Sequence, residues 1–558
     1  MFHFRQGIKN IPEICTQLGV KNVIIAPGSR NAPLIFAFTA QHNINCLSIT
    51  DERSAAYFAL GMSQQSGEPI ALVCTSGTAV LNFAPAIAEA YYQNIPLIVF
   101  TADRPSEMID QADGQTLRQN NIFSNYIKAA FELPVDTEKK QDLLFSDRLV
   151  SQAIDTALSY PKGPVQINVP LREPIYVPIP DTHSEPKIIR SQPQNTALSP
   201  ESLEKLRTNW TSYKRKMIVV GVFAQNEPLN TLLQQLAKEP DLVVVAENLS
   251  NIAGENIITQ AESFFSRINS LENSHEFAPD LLITIGHSVI CKQLKLFLRS
   301  HQASVQWQIE STLPYVDTYQ SLTSILPGSA TDILSKMPTG VTKSDYTLKC
   351  RAEIEQIRIL HKEFVSKTEL SDMTVMAEIL RQTRPDTVLQ LANSTSVRWM
   401  QLFETRADLT YYCNRGTSGI DGSLSTAAGF AYNSARNVLF VTGDVSFIYD
   451  SNGLWNNYTG KNLKIIVLNN NGGNIFRFIG DKELMKNNLH FFTTPHQVQI
   501  KLLVEAYGVD YLNCNESADL AGKIEQLLNS ANATVLEVFT DSELNTENYK
   551  KYFQHIKE

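Results

Sequence analysis

Two oxygen-bearing side chains at the ends of two apolar runs set the chemistry open to this chain. The run Val438 to Val441 ends in Gly443-Asp444, and the run Ile465 to Leu468 ends in Asn469-Asn470-Asn471-Gly472-Gly473. Such runs read as buried strands of a parallel sheet. In such sheets ligands gather beyond the carboxyl ends of the strands, where glycine lets the backbone approach and helix N-termini offer N–H groups to phosphate. Asp444 and Asn470 would stand on neighbouring strand ends. With a backbone carbonyl they supply the hard oxygen ligands that Mg2+ takes, phosphate oxygens and water completing its octahedron. The stretch from Gly443 to Phe476 therefore predicts a cation and diphosphate site. The ordinary alternative is a strand-end Asp capping a helix beside an Asn/Gly turn.

Other strand ends carry charge. PGSRNAP places Ser29, a possible helix cap, and Arg30 after a strand, with Pro33 tolerated in the first helical turn. TDERS places Asp51 and Glu52 ahead of a helix beginning near Arg53, where acidic residues are favoured by capping and the macrodipole. TADRP puts Arg104 directly after a strand, with Gln115 further on. LANSTSVRWM offers Asn393, Ser394 and Arg398, and YYCNRGTSGIDG offers Arg415, Ser418, Gly419 and Ile420. Ser394, Ser418 and Gly419 could present donors to a diphosphate. Arg30, Arg104, Arg398 and Arg415 at one rim predict a substrate, or two, rich in carboxylates.

These positions need strands to hold them. At roughly 150 residues per domain, 558 residues predict about three or four domains. A strand-then-helix rhythm over 1–180 predicts a doubly wound parallel sheet. Polar, proline-bearing residues 181–205 read as a linker. The rhythm returns over 206–345, a helical connection occupies 346–365, and a third unit covers 366–558. The fold class expected is α/β with three doubly wound parallel sheets, the first and third sharing a layout.

The bulk numbers narrow the function. A net charge of −9 leaves no basic footprint for nucleic acid. Seven scattered cysteines without a C-x-x-C pair suggest reduced thiols. No apolar run reaches the ~18 residues of a bilayer span, and the N-terminus lacks a long apolar signal segment. A cytoplasmic enzyme is expected.

The Gly-Asp to Asn-Asn pattern resembles the thiamine diphosphate signature. More closely, PGSRNAP, TDER, TADRP, CNRGTSGIDGSLSTAAG and NNNGGNIF resemble the 2-succinyl-5-enolpyruvyl-6-hydroxy-3-cyclohexene-1-carboxylate (SEPHCHC) synthases, thiamine diphosphate transferases of menaquinone biosynthesis. The resemblance implies pyrimidine-binding, middle and diphosphate-binding domains at 1–180, 206–345 and 366–558. It implies Asp444, Asn470 and the carbonyl of Gly472 as ligands of Mg2+ or Mn2+. Glu52 would face the aminopyrimidine N1′, where a carboxyl shares a proton with the ring. Ile420 would prop the cofactor in a bent shape. Ser394, Ser418, Gly419, Gly443, Val445, Ser446, Asn474 and Ile475 would complete the cofactor site.

The same resemblance implies decarboxylation of 2-oxoglutarate, not pyruvate, and 1,4-addition of the succinyl-semialdehyde unit to isochorismate. Ser29, Arg30, Arg104, Gln115, Lys292, Ser394, Arg398, Arg415 and Phe476 would meet these substrates. A homodimer or homotetramer with active sites between subunits is implied. The pattern is departed from at Val445, often glycine, at Gln293, often arginine, and at Gly114, where some relatives carry asparagine. None of the ten histidines forms a His-His pair, which favours a carboligase over a simple decarboxylase. An acetohydroxyacid synthase-like enzyme is the main competing reading, but no dinucleotide fingerprint stands near 220 or 286. A non-catalytic scaffold is disfavoured because Glu52 and Asp444 are both present.

Overall fold

The computed structural model describes residues 5–178, 185–192, 198–311, 313, 315–340, 343–479, 482–485 and 487–558. Parts of the linker expected at 181–205, namely 181–184 and 193–197, lie outside the described residues. The helix Pro200–Ser212 already begins within that span. The connection at 346–365 is the helix Tyr346–Lys367.

Among the described residues there are three six-stranded sheets. The first holds β1 (Asn22–Ile25), β2 (Asn45–Ser48), β3 (Ile70–Cys74), β4 (Leu97–Asp103), β5 (Ala130–Glu132) and β6 (Val165–Pro170), ordered β2-β1-β3-β4-β6-β5. The second holds β7 (Lys216–Val220), β8 (Leu242–Ala246), β9 (Ile257–Ile258), β10 (Leu281–Ile285), β11 (Val305–Ile309) and β12 (Leu322–Leu326), ordered β12-β11-β10-β7-β8-β9. The third holds β13 (Val388–Leu391), β14 (Thr410–Cys413), β15 (Val438–Gly443), β16 (Leu463–Asn469), β17 (Asp510–Cys514) and β18 (Thr534–Phe539), ordered β14-β13-β15-β16-β18-β17. Pairing is parallel in each. The first and third sheets share one topology, as their sequence layout predicts.

The strands are parallel because both faces are buried. Along β7, Ile218 and Val220 enter one core while Met217 and Val219 enter another on the opposite face. Successive side chains point to opposite sides, and each fully buried Val or Ile contributes about 1.5–3 kcal/mol. The strand order reverses between β1 and β3, between β7 and β10, and between β13 and β15, and ligands gather beyond such reversals. In the second sheet that place is closed. Val222 N donates to Ser288 O at 3.1 Å and His287 N to Val222 O at 3.1 Å, and a Cβ on Gly221 would collide with the His287 carbonyl.

By compactness the chain falls into two units. One comprises 1–193 with 414–438 and 449–463, the other 194–413 with 439–448 and 464–558. Within the first unit the helices Glu52–Ser66 and Ser423–Tyr432 pack backbone to backbone. A Cβ on Gly61 would overlap the carbonyl of Thr426, and one on Gly429 the carbonyl of Phe58. The Ser54 and Ser425 hydroxyls lie 2.9 Å apart, and Ser425 donates to the buried Asp450 carboxyl from both N and Oγ, at 2.7 and 2.8 Å. Among the described residues no helix is long and apolar enough to cross a membrane.

Asp450 makes stability depend on pH. Burial, outweighing the Ser425 donors, pushes its carboxyl up to about 7. The folded chain then keeps a proton that the unfolded chain has released, so this contribution is full below about pH 4 and is lost as pH rises through about 7. Thermal melts at about pH 5 and about pH 8 should show a larger loss for the wild type than for Asp450→Asn. Equal losses would contradict the assignment.

Candidate active site

The candidates around Asp444, Asn470, Ser394 and Lys292 belong to the second unit. β15 ends at Gly443, and Asp444 opens the helix Asp444–Tyr449. Asp444 is 1% exposed. Its Oδ1 accepts from Val445 N at 2.7 Å, and its Oδ2 accepts from Gly472 N at 2.8 Å. His496 Nε2 lies 3.2 Å from the same Oδ2, and this carboxylate contact holds the imidazole above its ordinary pKa. Gly472 has φ +137°, and a Cβ there would run into the Thr493 carbonyl. Only glycine fits.

Asn470, just past β16, is buried. Its Nδ2 donates to Asp372 Oδ2 at 3.2 Å, while its Oδ1 is buried without a hydrogen-bond partner. A buried acceptor left open beside a carboxylate suits a hard cation. Asn474 shows the complementary feature, its buried Nδ2 lacking a partner, which suits a phosphate oxygen. The donor set therefore fits a metal diphosphate. Ser446 and Ile475 are buried, Val445 and Phe476 half-buried, and the Phe476 ring tilts against Phe492 with centroids 5.7 Å apart.

Ser394 lies at the end of β13, across the strand reversal from β15. Its backbone takes φ +72° and ψ −126°, rare for a residue with a side chain and the kind of strain that clusters at functional sites. Its carbonyl accepts from Arg398 Nη1 at 2.6 Å. Lys292 opens the helix Lys292–Ser300. Its side chain is exposed and its backbone N donates to Glu262 at 3.0 Å.

The remaining candidates belong to the first unit. Glu52 begins the helix Glu52–Ser66. Asp51 caps that helix by accepting from Ser54 N at 3.1 Å, so Asp51 has the structural role and Glu52 is left to project. Glu52 is half-buried and accepts from Asn82 Nδ2 at 3.3 Å.

Arg30 lies in the turn after β1, and Arg104 directly follows β4. Arg30 is 7% exposed, with Nη1 donating to Leu171 O at 3.0 Å and Nη2 paired with Glu173 at 3.1 Å. Arg104 Nη1 donates to the Ser76 hydroxyl and to Gln115 O, both at 3.2 Å, and its Nε meets Asp113 at 3.2 Å. Burial, then repulsion from Arg104, lowers the Arg30 pKa. A guanidinium beyond the carboxyl end of a strand suits a carboxylate ligand. Gln115 is exposed with φ +54°.

Ser29 is not the cap its position suggests. The N-cap of the helix Ala32–Thr39 is Asn31, with Pro33 in the first turn, because Ala32 N turns back to the Ser29 carbonyl at 3.1 Å. The Ser29 hydroxyl lies 3.1 Å from that of Tyr176.

After β14, Arg415 is half-buried and the loop behind it is clamped by Glu89. That carboxylate accepts from Gly416 N, Thr417 N and Thr417 Oγ1, each at 2.6 Å. Ser418 follows with φ +65°, exposed, and Gly419 and Ile420 are half-buried.

Glu89, Asn82, Ser76 and Asp372 escape sequence reasoning. Glu89 leaves one trace, a charge inside the apolar helix Ala84–Gln93. Asp372 leaves none, since an Asp after Ser371 at a helix start reads as an ordinary first-turn acid.

The first part of the chain, residues 5–124, matches the thiamine pyrophosphate enzyme N-terminal TPP binding domain, and residues 393–538 match the C-terminal TPP binding domain. Relatives named 2-succinyl-5-enolpyruvyl-6-hydroxy-3-cyclohexene-1-carboxylate synthase align along nearly the whole chain. The Flavobacterium johnsoniae protein is 39% identical over 98% of both chains. That of Desulfotalea psychrophila is 39% identical over 96% of this chain and 98% of its own, and that of Bacteroides thetaiotaomicron is 32% identical over 100% of each. The three parallel sheets, the metal-diphosphate donor set and this full-length similarity agree: the chain belongs to the SEPHCHC synthase family of thiamine pyrophosphate enzymes.

Proposed function

We propose that this enzyme decarboxylates 2-oxoglutarate with thiamine diphosphate and Mg2+ or Mn2+, and adds the succinyl-semialdehyde unit 1,4 to isochorismate. The product is SEPHCHC, on the route to menaquinone. Family membership over the whole chain carries this reading, and Arg30 and Arg104, placed after strands β1 and β4, support it because both substrates are dianions.

Asp444, Asn470 and the Gly472 carbonyl hold the cation. Asn474, Ser394, Ser446, Ser418, Gly419 and the backbone at Gly443 and Val445 would hold the diphosphate, and Ile420 and Ile475 would supply apolar support. Thiamine diphosphate, when bound, provides the electron sink for loss of CO2 from a 2-oxo acid. Glu52 would hold the proton that the aminopyrimidine N1′ of the bound cofactor requires. Arg30, Arg104, Arg398, Arg415 and Lys292 bind substrate carboxylates, with Ser29, Gln115 and Phe476 shaping the pocket, so reactants meet at high effective concentration.

The three sheets serve as pyrimidine (1–180), middle (206–345) and diphosphate (366–558) domains. The protein works in the cytoplasm as a homodimer or homotetramer, Glu52 of one copy serving the Asp444 site of another. CO2 release with 2-oxoglutarate set beside pyruvate tests the donor. Release from 2-oxoglutarate alone is expected, and release from pyruvate alone would overturn the choice.

A further inference from the structure

Behind the metal-site asparagine lies a buried carboxylate to which nothing above gives a function. Asp372 is 0% exposed and opens the helix Asp372–Gln382 behind its Ser371 cap. Its Oδ1 accepts from Thr540 Oγ1 at 2.6 Å and from Asn545 Nδ2 at 3.0 Å, and its own N donates to Asn545 Oδ1 at 2.8 Å. Asn545 Nδ2 also reaches Thr540 Oγ1 at 3.1 Å, and Thr540 N donates to Asn469 O at 3.0 Å. Asp372, Asn545 and Thr540 thus form a closed ring fastened to the end of β16, the strand that delivers Asn470. The other oxygen of Asp372 takes the Asn470 Nδ2 hydrogen bond at 3.2 Å.

An asparagine amide can turn either end to a neighbour. Here Asp372 Oδ2 accepts from the NH2 end of Asn470, which sends Oδ1 the other way. That oxygen is the atom left without a partner. We propose that Asp372 is the positioning residue of the metal site, fixing the Asn470 amide so that Oδ1 faces the cation and strengthening that oxygen as a ligand. The ring with Thr540 and Asn545 keeps Asp372 from turning away. This rests on Asn470 being a metal ligand, and the test separates the two claims. Partners of this kind control metal affinity by about 10–100-fold.

The experiment follows thiamine diphosphate binding to the full chain by tryptophan fluorescence while Mg2+ is titrated, and melts each apo protein in parallel. Asp372→Asn keeps the shape but offers an amide that accepts either orientation of Asn470. It should raise the half-saturating Mg2+ concentration by ~10-fold or more. Thr540→Val, which loosens Asp372 from outside the contact, should move it in the same direction. An apo melt that drops while half-saturating Mg2+ stays fixed would reduce Asp372 to a structural part and overturn the proposal. Asn470→Ala is the control: if Mg2+ dependence survives it, the ligand assignment itself falls, whereas its loss alongside an unmoved Asp372→Asn defeats only the positioning role. Should Asp372→Asn not fold, Thr540→Val decides by the same readout.

Discussion

Glu52→Gln should cut turnover by about 10²–10⁴-fold, the range that one positioned acid or base supplies, with the fold and cofactor binding intact. The side chain is not a structural necessity. Asp51 already caps the helix, and the contact Glu52 makes is one hydrogen bond from Asn82 at 3.3 Å, which a glutamine carbonyl can still accept. What glutamine cannot do is exchange a proton, the role proposed for Glu52. Steady-state rates beside cofactor-binding curves check this. An unchanged rate removes the assignment, and lost binding with an unchanged rate per loaded site would make Glu52 a binding residue.

The second large effect is expected at Asp444. Asp444→Asn keeps the side-chain shape and one acceptor for the N–H groups of Val445 and Gly472, but removes the charge proposed to hold the cation. The half-saturating Mg2+ concentration for cofactor binding should rise by at least ~100-fold, beyond what outer-shell partners control. Gly472, whose own N–H is tied to Asp444 at 2.8 Å, would lose part of its orientation as well. Titration with Mg2+ and with Mn2+ reads the shift. An unmoved half-saturation would place the cation elsewhere.

How much of this was legible beforehand divides along physical lines. The interior strands β15 and β16 follow from the runs Val438 to Val441 and Ile465 to Leu468, continuously apolar because both faces are buried. β5, β9, β12 and β17 offer no long apolar run, and all four lie at sheet edges. An edge strand such as Leu322–Leu326 mixes exposed and buried positions and leaves no such run. At the site, Asp444, Asn470, Arg30 and Arg104 are visible because they stand at strand ends, and strand ends follow from the apolar runs. The parts Glu89 and Asp372 play are not legible because they act through contacts distant in sequence: Glu89 clamps backbone at Gly416 and Thr417, and Asp372 accepts from Asn470. The Ser29 cap fails for a related reason, since one extra turn before the helix moves the N-cap to Asn31.

The central claim is that 2-oxoglutarate supplies a four-carbon unit to isochorismate. The direct measurement is incubation of the Mg2+ and thiamine diphosphate-loaded enzyme with both substrates, followed by mass analysis of the product. The account predicts an adduct that carries the mass of isochorismate plus a succinyl-semialdehyde unit, formed in step with CO2 and absent when pyruvate replaces 2-oxoglutarate. Succinic semialdehyde released free while isochorismate is recovered unchanged would contradict it.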